Sequence, residues 1–197
     1  MTVPDLFTPE VPAATTAAGP RPLRVLGLDL SITAPGLCLP DGTTRTVKTN
    51  SKDGDRRLQI IVNNIDVALG DDPWGDDHCD LVVMEEAPPG LKGPAIKAIH
   101  MVHGAVRLRL IEFGAPYVLI NPTTLKAFAT GSTSADKTAM AMAAYKRSGR
   151  EFGDDNQCDA FWLRAAGLDW YGQPEFDLPK IQRERLVKVQ WPEAVAR

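Results

Sequence analysis

Short, almost wholly apolar runs alternate with longer amphipathic stretches along this chain. Arg24 to Leu30 (RVLGLDL) reads as a buried strand interrupted by Asp29. Gly36 to Pro40 reads as a second strand, closed by the turn Pro40-Asp41-Gly42, and Thr44 to Thr49 alternates as a third. Together the three predict an antiparallel meander. From Asp55 onward Leu58, Ile61, Val62, Ile65 and Leu69 recur with a 3.6-residue period and predict a helix. Asp80 to Glu86 (DLVVMEE) is apolar enough for a central strand. Ala95 to Phe113 predicts a long amphipathic helix stopped by Gly114, and Pro116 to Ile120 a fifth strand. Ser134 or Asp136 opens another helix that runs to Tyr145. Asp155 to Trp170 is the last, with Ala160, Leu163, Ala166 and Gly167 on its packing side. Hairpin strands followed by alternating strands and helices predict an α/β layer fold, a mixed sheet of antiparallel then parallel strands flanked by helices. Residues 1–22, rich in Pro, Ala and Thr, read as a disordered arm. Residues 23–172 read as one domain and 173–197 as a Pro-punctuated, partly basic tail.

Composition narrows the class. A chain of 197 residues that is 44% hydrophobic can bury a core without staples. Cys38, Cys79 and Cys158 are odd in number and widely spaced, which argues against a disulfide framework or a zinc knuckle and for a reducing compartment. No apolar run approaches the ~18 residues of a membrane span, and the start lacks the regions of a signal peptide. The expectation is a cytoplasmic protein with no membrane partner and no small-molecule cofactor.

The formal charge of −3 hides an asymmetry. From Ala87 to Arg150 there are nine Lys and Arg against only Glu112 and Asp136, whereas acids collect at Asp53–Asp80, Glu85-Glu86 and Asp154–Asp159. Carboxylates that hold cations beside cations that hold a phosphate backbone are what metal-dependent phosphodiester chemistry requires. Lys92, Lys97, Arg107, Arg109, Lys126, Lys137 and Arg147 are the candidates for DNA-backbone contacts.

The most informative positions are acids set into apolar elements. Asp29 interrupts one buried strand, Glu85 ends another, and Asp159 sits just inside the last helix, before Ala160-Phe161-Trp162. Asp155 and Asn156 share the helical face of Asp159. Oxygen ligands of this kind suit Mg²⁺ or Mn²⁺ if the two strands are neighbours and the helix crosses their ends. The bland alternatives are a turn-capping Asp29, a surface Glu85 and an N-cap pair at Asp154-Asp155.

In this order the residues resemble the RuvC family of Holliday-junction resolvases, which have an RNase H-like fold. Gly27-Leu28-Asp29-Leu30-Ser31 resembles the family's opening strand, and Val82-Val83-Met84-Glu85 its second acidic strand. Ala135-Asp136-Lys137 after Gly131-Ser132 resembles its lysine-bearing helix start, and Asp159-Ala160-Phe161-Trp162-Leu163 its closing helix. The resemblance implies that Asp29, Glu85 and Asp159 bind metal, with either Asp155 or Asn156 as the fourth ligand, since Asn156 stands where the family usually has an acid. It implies that Lys137 sits by the scissile phosphate and that Asp29, Glu85, Asp155, Asp159 and Lys137 form the catalytic set. It further implies two Mg²⁺ per site with Mn²⁺ able to substitute, a branched-DNA substrate cut by paired symmetric nicks, and a homodimer through the Ala95–Phe113 helix. The Asp155-Asn156-x-x-Asp159-Ala160 ending resembles bacteriophage members. One departure is Ala87-Pro88-Pro89-Gly90, where the family often places a base-stacking aromatic. Rival expectations are a fork or flap nuclease, a two-domain ATPase of the actin or sugar-kinase type, and a DNA-binding protein that has lost its metal site.

Overall fold

A computed structural model describes residues 21–71, 77–87 and 93–193. Five strands form one sheet in the order β3-β2-β1-β4-β5, from β1 (Val25–Asp29), β2 (Gly36–Cys38), β3 (Thr44–Thr46), β4 (Leu81–Glu85) and β5 (Tyr117–Ile120). The β1/β2 and β2/β3 pairs are antiparallel and the β1/β4 and β4/β5 pairs parallel, so the mixed α/β sheet expected from the pattern is the one observed. The strands are shorter than the apolar runs suggest. Beyond Thr46 the third strand leaves the ladder, although Val47 and Thr49 still donate to the Pro35 and Thr33 carbonyls.

Alternation along the strands divides the core in two. Leu26, Leu28, Val82 and Met84 face helices α1 (Arg56–Leu69) and α2 (Pro94–Phe113), packing with Ile61, Ile65, Val102, Val106 and Leu110. Val25, Val83, Val118 and Ile120 face the other way, toward α3 (Pro122–Thr130), α4 (Lys137–Ser148) and α5 (Asp155–Trp170). Asp29 and Glu85 have the parity of this second face. Among the described residues no helix is long and apolar enough to cross a membrane.

Helix α3 has no counterpart in the expected elements. Its nine residues are too few for a clear period, but its ends carry signals: the Asn121 side chain accepts from Thr123 N, Pro122 opens the first turn, and Gly131 closes it at φ 86. The segment after α5 is also more than a tail. Helix α6 (Lys180–Arg183) and a 3-10 turn (Glu184–Lys188) follow, and Leu178 and Leu186 are buried in the second core.

Candidate active site

Helix α5 lies unusually close to the sheet because three glycines give it room. A Cβ on Gly27 would stand 2.0 Å from the Ala160 carbonyl oxygen, and one on Gly36 would stand 2.1 Å from that of Asn156. Farther along α5, a Cβ on Gly167 would meet Val83 and Val25 side chains at 2.8 and 2.9 Å. Gly36 is the sheet partner of Asp29. Asn156 therefore rests beside Asp29, and Asp159, one helical turn on, comes down over the ends of β1 and β4.

The parallel register pairs Leu28 with Met84, so Asp29 and Glu85 end adjacent strands side by side, about 5 Å apart at the backbone. All three carboxyls are held well above the usual carboxylate range. Burial, followed by the Asp159 charge, lifts Asp29 to about 7. Burial, followed by the charges of Asp29 and Asp159, lifts Glu85 to about 8. Burial lifts Asp159 to about 6 against the pull of Lys137 and Lys126. None of the three accepts a hydrogen bond from the described residues. The fold thus half-buries three carboxylates without using them to hold itself together.

Two lysines flank the acids. Lys137 opens α4 behind the Asp136 N-cap, is ion-paired with Asp155, and acts on both Asp29 and Asp159. Lys126, on the unanticipated α3, acts on Glu85 and Asp159. An aromatic cluster places both helices: Trp162 meets Phe128 edge-on at 6.0 Å, and its indole N–H donates to the Met140 carbonyl at 3.2 Å. A groove of about 690 Å³ continues from Asp159 between α4 and the start of α5.

The residues preceding Asp159 have separate tasks. Asp154 caps α5, accepting from Gln157 N and from the Thr46 hydroxyl. Asp155 is turned to Lys137. The Asn156 side-chain amide donates to the Ala34 carbonyl at 2.7 Å, tying α5 to the loop after β1. An Asp at 156 could not make that bond, which gives a physical reason for the departure seen in the sequence.

Not every basic candidate joins the site. Arg109 is ion-paired with Asp66 at 2.7 Å and with Glu112 at 3.8 Å. Arg107 donates to the Tyr117 hydroxyl, at the end of β5 remote from the Ile120–Glu85 pair. Arg147 donates to the Asp177 carbonyl. Lys97 is exposed near the start of α2. Lys92 and the Pro88-Pro89-Gly90 stretch lie outside the described residues. On α2, His103 is buried, and burial holds its pKa down, the behaviour of a core imidazole.

The donor set suits a hard divalent cation: three partly desolvated carboxylates that accept no hydrogen bond from the described residues, with no sulfur or imidazole among them. Among the described residues no group of three or more His, Cys, Asp or Glu side chains is placed to hold a metal ion as it stands. The acids, at the ends of β1 and β4 and in the first turns of α5, are half-exposed, as a catalytic site must be to leave positions for substrate and water.

No protein-family model matches the chain, and no curated protein matches it in sequence. Solved structures do resemble it. Thermus thermophilus RuvC superposes with a TM-score of 0.61 at 20% identity, covering 77% of this chain and 98% of that one. T. thermophilus RuvC in complex with a Holliday junction substrate gives 0.60 at 21% identity, covering 77% and 97%. The likeness is one of fold: the chain has the α/β, RNase H-like architecture of RuvC.

Proposed function

We propose that the protein is a metal-dependent endonuclease for branched DNA, of the bacteriophage type, acting in the cytoplasm on Holliday junctions. The observation that carries this reading is that Asp29 and Glu85 end adjacent strands with Asp159 of α5 close enough to act on both, all three partly desolvated and accepting no hydrogen bond from the described residues, with Lys126 and Lys137 acting on them. A core built for stability alone gains nothing from three such carboxylates, since each buried acid costs free energy unless it is paired. A catalytic edge gains three oxygen donors.

Asp29, beside Glu85 in the sheet and under the charge of Asp159, would hold the cations together with those two acids, for two Mg²⁺ or Mn²⁺ ions; Asp155 is the available fourth carboxylate. When bound, the ions supply positive charge against the scissile phosphate and lower the pKa of the attacking water. Lys137 then faces the negative charge that develops on the phosphoryl oxygens, and its exchange of Asp155 for phosphate frees that acid. Lys126 offsets the acids' charge from the Glu85 side, so that a polyanion can approach.

Paired symmetric nicks require two sites related by a twofold axis. Helix α2 offers a surface for a second copy: Met101, Leu108 and Ile111 are 43%, 58% and 64% exposed along one stripe, with Gly104 between them. Labelled four-way junctions, forks, flaps and plain duplex, incubated with Mg²⁺, test the substrate. The reading predicts paired nicks at symmetric positions in the junction arms. Faster, unpaired cutting of forks or flaps would replace it with the broader branched-DNA nuclease. No cutting of any substrate would leave an RNase H-like DNA-binding protein.

A further inference from the structure

The segment after α5 is held firmly to the domain. Trp191 stacks on Trp170 at 5.3 Å with the planes 12° apart, and its indole N–H donates to the Leu186 carbonyl at 3.0 Å. The Tyr171 hydroxyl donates to the Pro192 carbonyl at 2.7 Å, and Arg183 is ion-paired with Asp169 at 2.8 Å. Leu178 and Leu186 fill the core beneath. A segment fixed this way presents its outer side chains in defined directions.

Two of those side chains are unspent cations. Lys180 pairs with Glu184 at 3.8 Å and Arg183 with Asp169, but Arg185 and Lys188 are exposed and have no partner among the described residues. Both line a cleft of about 380 Å³ against the first turn of α3, together with Thr123, Thr124, Thr133 and Glu184. The Thr123 hydroxyl is used by Asn121, whereas those of Thr124 and Thr133 are uncommitted among the described residues. The cleft lies against the helix that carries Lys126. Its Thr123 lies three residues past Ile120, the sheet partner of Glu85, and Lys126 on the same helix acts on Glu85 and Asp159. The opposite flank of the acids, the α4–α5 groove, carries Glu151, Asp154 and Asp155 against Lys137 and Arg150, and Arg150 is already bonded to the Gly42 carbonyl.

We infer that the C-terminal segment is part of the DNA interface: Arg185 and Lys188, with Lys126, form a rail for the phosphate backbone as one arm of the substrate leaves the acid edge across α3. This rests on the nuclease reading and adds the direction in which the DNA runs. Cations with no acid partner and hydroxyls with no acceptor suit a phosphodiester backbone, which offers charge and acceptor oxygens but no donors.

The test is binding of a labelled four-way junction by the full chain, without divalent metal, over a salt series. Arg185→Ala/Lys188→Ala is expected to bind about 10-fold more weakly, with a salt slope flatter by about 2, near 0.9 for each lost contact. Lys52→Ala, which removes an exposed charge ahead of α1 and outside the cleft, is expected to bind like the wild type. The exchange Arg185→Lys/Lys188→Arg is expected to keep the wild-type slope. Wild-type affinity and slope in the double alanine variant would overturn the inference while leaving the nuclease reading standing, as would an equal loss in Lys52→Ala. Absence of salt-dependent binding by the wild type would overturn both.

Discussion

The Ala160 carbonyl oxygen lies 2.0 Å from where a Cβ on Gly27 would stand, too close for any side chain there, so β1 and α5 touch backbone to backbone. Asp29, two residues along the strand, and Asp159, one residue before Ala160, are brought together by that contact. Gly27→Ala must push α5 off the sheet. The expected result is a loss of about 1–3 kcal/mol in stability from overpacking. Cleavage should fall on the order of 100-fold, because a displacement near 1 Å at a catalytic group has that effect. Denaturant melts and junction cleavage measured on the same preparation check both.

Asn156→Asp would restore an acid where the sequence departs from the RuvC pattern, and the structure predicts harm. The new carboxylate would face the Ala34 carbonyl in place of the donor that now bonds it at 2.7 Å. An acceptor against an acceptor there should cost about 1–3 kcal/mol without raising the cleavage rate. Thermal melting, with cleavage kinetics alongside, measures it.

The metal-free protein should lose stability as pH rises. Burial holds Asp29, Glu85 and Asp159 up to about 7, 8 and 6 in the folded chain, against ordinary values of 3.8, 4.5 and 3.8. Between about pH 4 and 8 the folded state therefore holds protons that the unfolded chain has released, and stability falls through that window. In EDTA, Tm is expected to drop by about 5–10 °C from pH 5 to pH 8. Asp29→Asn should flatten the drop by removing both a desolvated charge and its repulsion of Glu85. Mg²⁺ should restore the wild type at pH 8 and leave Asp29→Asn unchanged.

How far the sequence discloses this molecule depends on the range of the interaction concerned. The last helix runs from Asp155 to Trp170 as its pattern predicts, and the five strands pair as a meander followed by parallel strands, because period and turn chemistry are local. Helix α3 escapes that reading because only Leu125, Phe128 and two alanines mark its buried side; the Asn121-Pro122 start and the Gly131 stop were the available signal. Leu178, Leu186 and Trp191 have no period, and their docking is visible only in three dimensions. The acids stand out in sequence because a carboxylate inside an apolar run is costly. Charge counting cannot tell that Arg109 is spent on Asp66 while Lys126 comes to the acids, since both facts depend on partners remote along the chain.

The most direct measurement of the central claim is anomalous scattering from crystals of the wild-type chain soaked in Mn²⁺. Manganese is expected at the ends of β1 and β4, with oxygens of Asp29, Glu85 and Asp159 drawn in to about 2.1 Å, the bond length of a small hard cation, and no such peak is expected in Asp29→Asn. Manganese seated elsewhere, or the same peak persisting in Asp29→Asn, would contradict that claim.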